Sequence, residues 1–214
     1  MMLSETSEHL TTTFKWAKTE DILALLETTK GNTLLDLRDR AAILFLTDTG
    51  CRASELCSLK VYDLDLDAMQ AVVSNISTRA RYVFFGELTK VALKRWLDVR
   101  PSDCGPWVFI RLAAHSKRTL TSSSLYQMLK RRGKAAGCKG PVNPRAFRHA
   151  FARNWVLNGG NLETLTYILG HTSDRVTRSS YDISKANVAR WAKQAWLANR
   201  PPDDQLTIDL SVLQ

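Results

Sequence analysis

Apolar residues recur along most of the chain at helical spacing. Ile22, Leu23, Leu25 and Leu26 form one face of a first helix, opened by Thr19-Glu20-Asp21 with Thr19 as its N-cap. Leu34, Leu37, Ala41, Leu44 and Phe45 share a face of a second, which runs to about Thr47 and ends at Gly50 in a left-handed turn. A short helix follows over 53–59. The period then changes, and segments 70–76 and 81–85, rich in Val and Phe, read as the two strands of a hairpin. Residues 89–99 return to helix, 107–110 read as a third short strand, and 121–136 read as a helix capped by Thr121 or Ser122. Pro144 suits the first position of a helix that reaches about Leu157 and stops at Gly159-Gly160. Helices over 162–169, ended by Gly170, then 174–181 and 187–198 complete the pattern. The fold class is α+β, mainly α-helical, with a small antiparallel β-sheet.

Composition narrows the setting. The chain has 214 residues, enough for one good-sized core, and 44% of them are hydrophobic. No apolar run approaches the ~20 residues that span a bilayer, and the N-terminus lacks a basic stretch followed by an apolar one. The expectation is a cytoplasmic, nucleoid-associated protein with no membrane contact. Cys51, Cys57, Cys104 and Cys138 stand at no metal-ligand spacing and read as small apolar residues rather than disulfides. The polar stretch 1–17 reads as a flexible lead-in, 18–200 as one domain, and 201–214, after Pro201-Pro202, as a tail.

Charge is more telling. Thirty Lys and Arg against 21 Asp and Glu give a net +9. Between Gly105 and Gly160 stand eleven basic residues and no acidic one. A merely solvated surface mixes signs, because like charges repel. Lys117, Arg118, Lys130, Arg131, Arg132 and Lys134 in this stretch are therefore the candidate contacts to a nucleic acid, a generic basic face being the alternative.

Four landmarks could carry chemistry. Arg52 follows Gly50 at the start of a helix, where a guanidinium and free backbone N–H groups can converge on an anion. Glu55, three residues on, can hold it; alone, the two could equally be a surface pair. Arg145 and Arg148 lie three apart on one helical face, an arrangement a phosphate between them would relieve. Phe147 points into the core, and His149 reads as a structural residue rather than a catalyst. His171 follows the helix-ending Gly170, where an isolated histidine is commonly a cap. Tyr181, taken alone, is as well read as core.

Taken together, two arginine boxes about ninety residues apart, then Gly170-His171, then Tyr181 ten residues later resemble the catalytic domain of the tyrosine recombinase (phage-integrase) family. Segments 19–26, 59–65 and 158–165 resemble it too, so the likeness covers roughly 180 of the 214 residues. The resemblance implies the catalytic-domain fold and a site-specific recombinase or integrase. Such an enzyme cuts DNA with a tyrosine hydroxyl, holds a 3′-phosphotyrosine, and rejoins strands without metal, cofactor or ATP. It implies Tyr181 as nucleophile, Arg52 and Arg148 as phosphate clamp, His171 as a phosphate hydrogen-bonder and Arg145 in the site. It also implies assembly as a homo-tetramer on DNA from monomers in free solution, with Trp191, Trp196 and Leu197 packing either on a neighbour or in cis.

Three departures stand against that pattern. Arg145 occupies a place usually held by His or Lys. The hairpin has no lysine to protonate the leaving oxygen, leaving only Arg79 and Arg81 as electrostatic substitutes. Ten residues, where nine is commoner, separate His171 from Tyr181. Only about seventeen residues precede the matching region, so the core-binding domain usual in the family was either removed or never present. Two alternatives stay open: a weak or inactive recombinase-like DNA-binding module, and a type IB topoisomerase-like enzyme, against which Leu169-Gly170-His171 argues.

Overall fold

A computed structural model describes residues 16–75, 78–112 and 118–171. Among these residues lie seven α-helices and one three-stranded sheet. The helices are α1 (Thr19–Glu27), α2 (Leu34–Thr49), α3 (Ala53–Ser58), α4 (Glu87–Val99), α5 (Ser122–Ala135), α6 (Pro144–Leu157) and α7 (Leu162–Leu169). The strands are β1 (Leu64–Asp65), β2 (Gln70–Asn75) and β3 (Thr78–Phe84), antiparallel in the order β1-β2-β3.

The organising element is α2. Leu37, Ala41, Ala42, Ile43, Leu44, Phe45 and Leu46 are all buried. A helix apolar on nearly every side belongs inside; α1, α4, α6 and β3 pack around it. Phe45 meets Phe85 and Phe109 with ring centroids 5.8 and 6.4 Å apart. Trp96 of α4 is fully buried and its indole N–H donates to the Val108 carbonyl at 2.8 Å. The hairpin alternates as a half-buried sheet should. Arg81, Val83 and Phe85 face inward, while Tyr82 and Phe84 face outward.

Helix punctuation follows local chemistry. The Thr33 hydroxyl accepts from Asp36 N–H at the start of α2, and Thr121 from Ser124 N–H at the start of α5. Asn143 caps α6 through Ala146 N–H at 3.0 Å, with Pro144 first in the helix. Gly50 and Gly170 end α2 and α7 at φ +57° and +64°, the left-handed region that favours glycine.

Two expectations need correction. Thr19 is the first residue of α1 rather than its cap; Lys18 holds the cap position and makes no side-chain cap bond. The run 107–110 is not a strand of the sheet, whose third member is Leu64–Asp65. Trp107 makes an isolated bridge to Lys60, and Ile110 one to Thr119. Val108, Phe109 and Ile110 are fully buried. The run is a core-crossing segment whose backbone is satisfied on two sides, by Val108 N–H to Leu59 and Leu120 N–H to Phe109.

Cys51, Cys57 and Cys104 are buried and Cys138 half-buried, all as free thiols. Burial pushes the thiols of Cys51 and Cys57 up to about 12, so both act as small apolar fillers. Among the described residues no helix is long and apolar enough to cross a membrane. The expected helices at 174–181 and 187–198, with Trp191, Trp196 and Leu197, lie outside the described residues, as do the tail and the lead-in up to residue 15.

Candidate functional site

Three chain segments meet at the C-terminal end of α7. The first is the turn from α2 to α3. Gly50 is required there twice over: its φ is positive, and a Cβ would stand 2.7 Å from the Phe151 ring. Arg52 then takes the cap position of α3, and its backbone N–H donates to Glu55 Oε2 at 2.8 Å. Its guanidinium donates to Glu55 Oε1 at 3.2 Å, to the Leu169 carbonyl at 3.2 Å and to the Gly170 carbonyl at 3.3 Å.

The second segment is the first two turns of α6. Arg148 is buried, at 7% exposure. It donates to the Gly50 carbonyl at 2.9 Å and the Leu169 carbonyl at 2.5 Å, and its Nη2 lies 3.0 Å from His171 Nε2. The third segment is the α7 end itself. Gly170 N–H bonds to Tyr167 and His171 N–H to Thr166, the closing pattern of a helix with a left-handed terminal residue. That geometry turns His171 back toward the two arginines. The exposed carbonyls there carry the negative end of the helix dipole, which attracts the guanidiniums.

His171 is neutral near pH 7. Burial, then the charges of Arg148, Arg52 and Arg81, push it down to about 4. A guanidinium only donates, so Nε2 accepts and the ring proton sits on Nδ1. Glu55 behaves oppositely. Burial alone would raise it, but its bonds to Arg81 and Arg52 overcome that and hold it at about 2.

Arg52, Arg145 and Arg148, with Ser122, Tyr126 and Asn143, line a cavity of about 430 Å³. Arg145 is exposed, and its Nε donates to His149 Nε2 at 3.3 Å. His149 is buried, and burial with the charges of Arg145 and Arg148 pushes it down to about 4. It is a neutral acceptor that steadies Arg145. The arrangement offers an anion several convergent donors at one end of a concave surface.

The other expected residues divide. Arg118, Lys130, Arg131 and Lys134 are exposed on or beside α5, and Lys130 and Lys134 line a second cavity that Tyr126 and Asn143 also border. Arg132 does not join them. Its guanidinium is spent on Asp39, Asp36 and the Thr28 carbonyl, at 3.0, 2.8 and 2.5 Å, with 14% of its side chain exposed. It ties α5 to α2. The Arg79 side chain is exposed on β3, but Arg81 is buried against Glu55 and cannot stand in for a hairpin lysine at a leaving oxygen. Lys117 and Tyr181 lie outside the described residues. Tyr126 and Asn143 also line these cavities without standing out in the sequence, although an exposed aromatic inside the acid-free basic stretch is a signal for the former.

The model of the phage integrase family matches residues 15–187. A tyrosine recombinase XerD of Listeria monocytogenes is 29% identical over 181 residues, covering 82% of this chain and 60% of the relative. A tyrosine recombinase XerC of Alcanivorax borkumensis is 33% identical over 151 residues, covering 69% and 48%. The crystal structure of XerA recombinase superposes with a TM-score of 0.71 at 26% identity, over 87% of this chain and 65% of that one. The chain thus spans about 60% of the length of the curated relatives it matches first.

Proposed function

Because the chain belongs to the phage integrase family, we propose that it is the catalytic part of a site-specific DNA recombinase, working through a tyrosine–phosphate intermediate. The observation that carries this reading is the convergence of Arg52, Arg148 and His171 on one turn. Arg148 and His171 touch at 3.0 Å, and both arginines bond the Leu169 carbonyl. Arg52 shares its guanidinium between two backbone carbonyls and one oxygen of Glu55, and Arg148 rests on backbone carbonyls, which hold only partial negative charge. A phosphodiester carries a full one, and its pentavalent transition state concentrates more on the non-bridging oxygens. Preorganised donors therefore stabilise the transition state beyond the ground state, each worth roughly 100- to 1000-fold.

In the proposed step the Tyr181 hydroxyl attacks phosphorus and loses its proton. A bond forms from its oxygen to phosphorus, the bond to the 5′-oxygen breaks, and that oxygen leaves as a hydroxyl by taking one proton from solvent, matching the one the tyrosine gives up, so the step consumes none. The reverse attack by a 5′-hydroxyl rejoins the strand, so the phosphodiester's energy is kept. A free tyrosine titrates near pH 10, and a tyrosine brought to a phosphate held by Arg52 and Arg148 would meet positive charge that favours its phenolate. Neutral His171 accepts from Arg148 at Nε2, which steadies the ring beside the clamp, and acts there as a hydrogen-bonding group rather than a base.

The proposed partner is double-stranded DNA, and the exposed Arg118, Lys130, Arg131 and Lys134 are the proposed contacts to its backbone. Assembly as a tetramer on DNA, from monomers in free solution within the nucleoid-bearing cytoplasm, completes the proposal. A second reading, a DNA-binding module that cuts slowly or not at all, is favoured by one observation. Arg81, a candidate to replace the hairpin lysine, is buried on Glu55. A nicked suicide duplex separates the two. A covalent protein–DNA adduct in wild type, absent in Tyr181→Phe, supports the enzyme. Tight binding without adduct over long incubation supports the module, and relaxation of a plasmid without any specific site would point to a topoisomerase.

A further inference from the structure

Three arginines, from three different segments, meet the last carbonyls of α7. Arg52 and Arg148 face the cavity already described. The third, Arg81 of β3, does not. It is 5% exposed and lies outside the cavity lining. Its Nε donates to the Ile168 carbonyl at 2.5 Å, and its two terminal nitrogens donate to the two oxygens of Glu55 at 2.6 and 2.8 Å. Glu55 is fully buried and uses the same two oxygens to hold the backbone and guanidinium of Arg52. At Gly170, a Cβ would come within 3.0 Å of the Arg81 guanidinium carbon and Nη1. The turn that presents His171 therefore packs directly on Arg81.

We propose that Arg81 is a positioning residue of the arginine clamp. It fastens the hairpin to Glu55 on one side and to the Ile168–His171 turn on the other, so that Arg52 and His171 take their spacing only when β3 is docked. The planar fork is what the task requires. It reaches a carboxylate with two parallel bonds and a carbonyl with a third, which the point charge of a lysine cannot do from one position. This role rests on the proposed clamp, but its geometry involves neither Tyr181 nor DNA.

A buried ion pair could also be mere ballast, and replacing both partners of one by neutral residues is often neutral for stability. The experiment exploits that. Wild type, Arg81→Lys and the double variant Glu55→Gln/Arg81→Met are first compared by urea unfolding. Each is then labelled in its histidines, and the His171 ring resonances are followed by NMR as inorganic phosphate is added. Adduct formation on the nicked duplex is timed in a single turnover, beside DNA affinity at fixed salt.

The expected result is a double variant that stays folded and binds DNA as wild type does. Its His171 no longer responds to phosphate at the concentration that saturates wild type. Its adduct forms on the order of 100-fold more slowly, the usual consequence of small misplacement in a reacting site. Arg81→Lys, with its charge kept and its fork lost, fails to restore the phosphate response. A full His171 response in either variant overturns the proposal. A wild-type His171 blind to phosphate overturns it together with the clamp. A wild type that binds phosphate but forms no adduct contradicts the recombinase reading alone, and the NMR comparison still decides the role of Arg81.

Discussion

Lowering the pH from 7 to 5 is expected to destabilise this fold through two imidazoles. His149 and His171 are pushed down to about 4, in each case chiefly by burial and then by neighbouring arginines. The unfolded chain takes up these protons near pH 6.5, the folded chain only near 4. Folding is therefore favoured fully above 6.5 and loses that contribution as the pH falls from 6.5 to 4. At pH 5 the full effect would be about 2 kcal/mol per group. Neither ring is wholly removed from solvent, His149 being 8% exposed and His171 half-buried, and screening cuts this by roughly half, to ~2 kcal/mol for the pair. Glu55, held at about 2, keeps its full stabilising contribution above its ordinary 4.5 and loses it only below, so the window between 6.5 and 4.5 belongs to the histidines. The assay is the urea midpoint at pH 7, 6 and 5, at constant ionic strength without phosphate, in wild type and in His149→Asn/His171→Asn. Wild type should lose stability steadily, and the double variant should be nearly flat. Added phosphate should flatten wild type as well, because an anion beside Arg52 and Arg148 favours the protonated His171. A wild-type midpoint that does not move, or a slope the substitutions leave untouched, would refute the reasoning.

Further outcomes follow from single contacts. Gly170→Ala should cost about 1–2 kcal/mol for its left-handed backbone, plus the displacement of Arg81. Gly137→Ala, at φ +66° with nothing within 4 Å of its Cβ, isolates the backbone part. Equal losses in thermal melts would show that the Arg81 contact is unimportant. Lys134→Gln should lower the salt dependence of DNA binding by roughly one phosphate contact and leave stability unchanged. Arg132→Gln should do the reverse, costing on the order of 2 kcal/mol in urea by stripping Asp39 and Asp36 of a charged donor.

What was legible in the sequence follows from how local its cause was. Gly50, Pro144 and Gly170 punctuate helices through backbone geometry, which a sequence states outright. The two arginine boxes and the Gly-His turn were equally plain, being fixed by order and spacing. β1 escaped because two residues have no alternation to detect. The 107–110 run looked like a strand because a segment buried on all sides reads the same whatever its pairing. Two arginines sit differently from expectation: Arg132, a candidate DNA contact, is tied to α2, and Arg81, a candidate electrostatic substitute for the hairpin lysine, is buried on Glu55. Arg81 shares the period-2 parity of Val83 and Phe85, which places it on the core face. Arg132 lies four residues beyond Met128 and three beyond Leu129, on the buried side of α5. Their carboxylate partners, Glu55 and Asp39, sit 26 and 93 residues away, beyond any local pattern.

The central claim is that the arginine–histidine turn serves a phosphate attacked by Tyr181. Its most direct test is to digest the adduct from the nicked duplex with trypsin and nuclease and locate the bound nucleotide by mass spectrometry. The expected carrier is the peptide from Ser179 to Lys185, with the nucleotide on Tyr181 and none on Tyr126 or Tyr167. An adduct on another residue, or DNA held through long incubation with no adduct anywhere, would contradict the account.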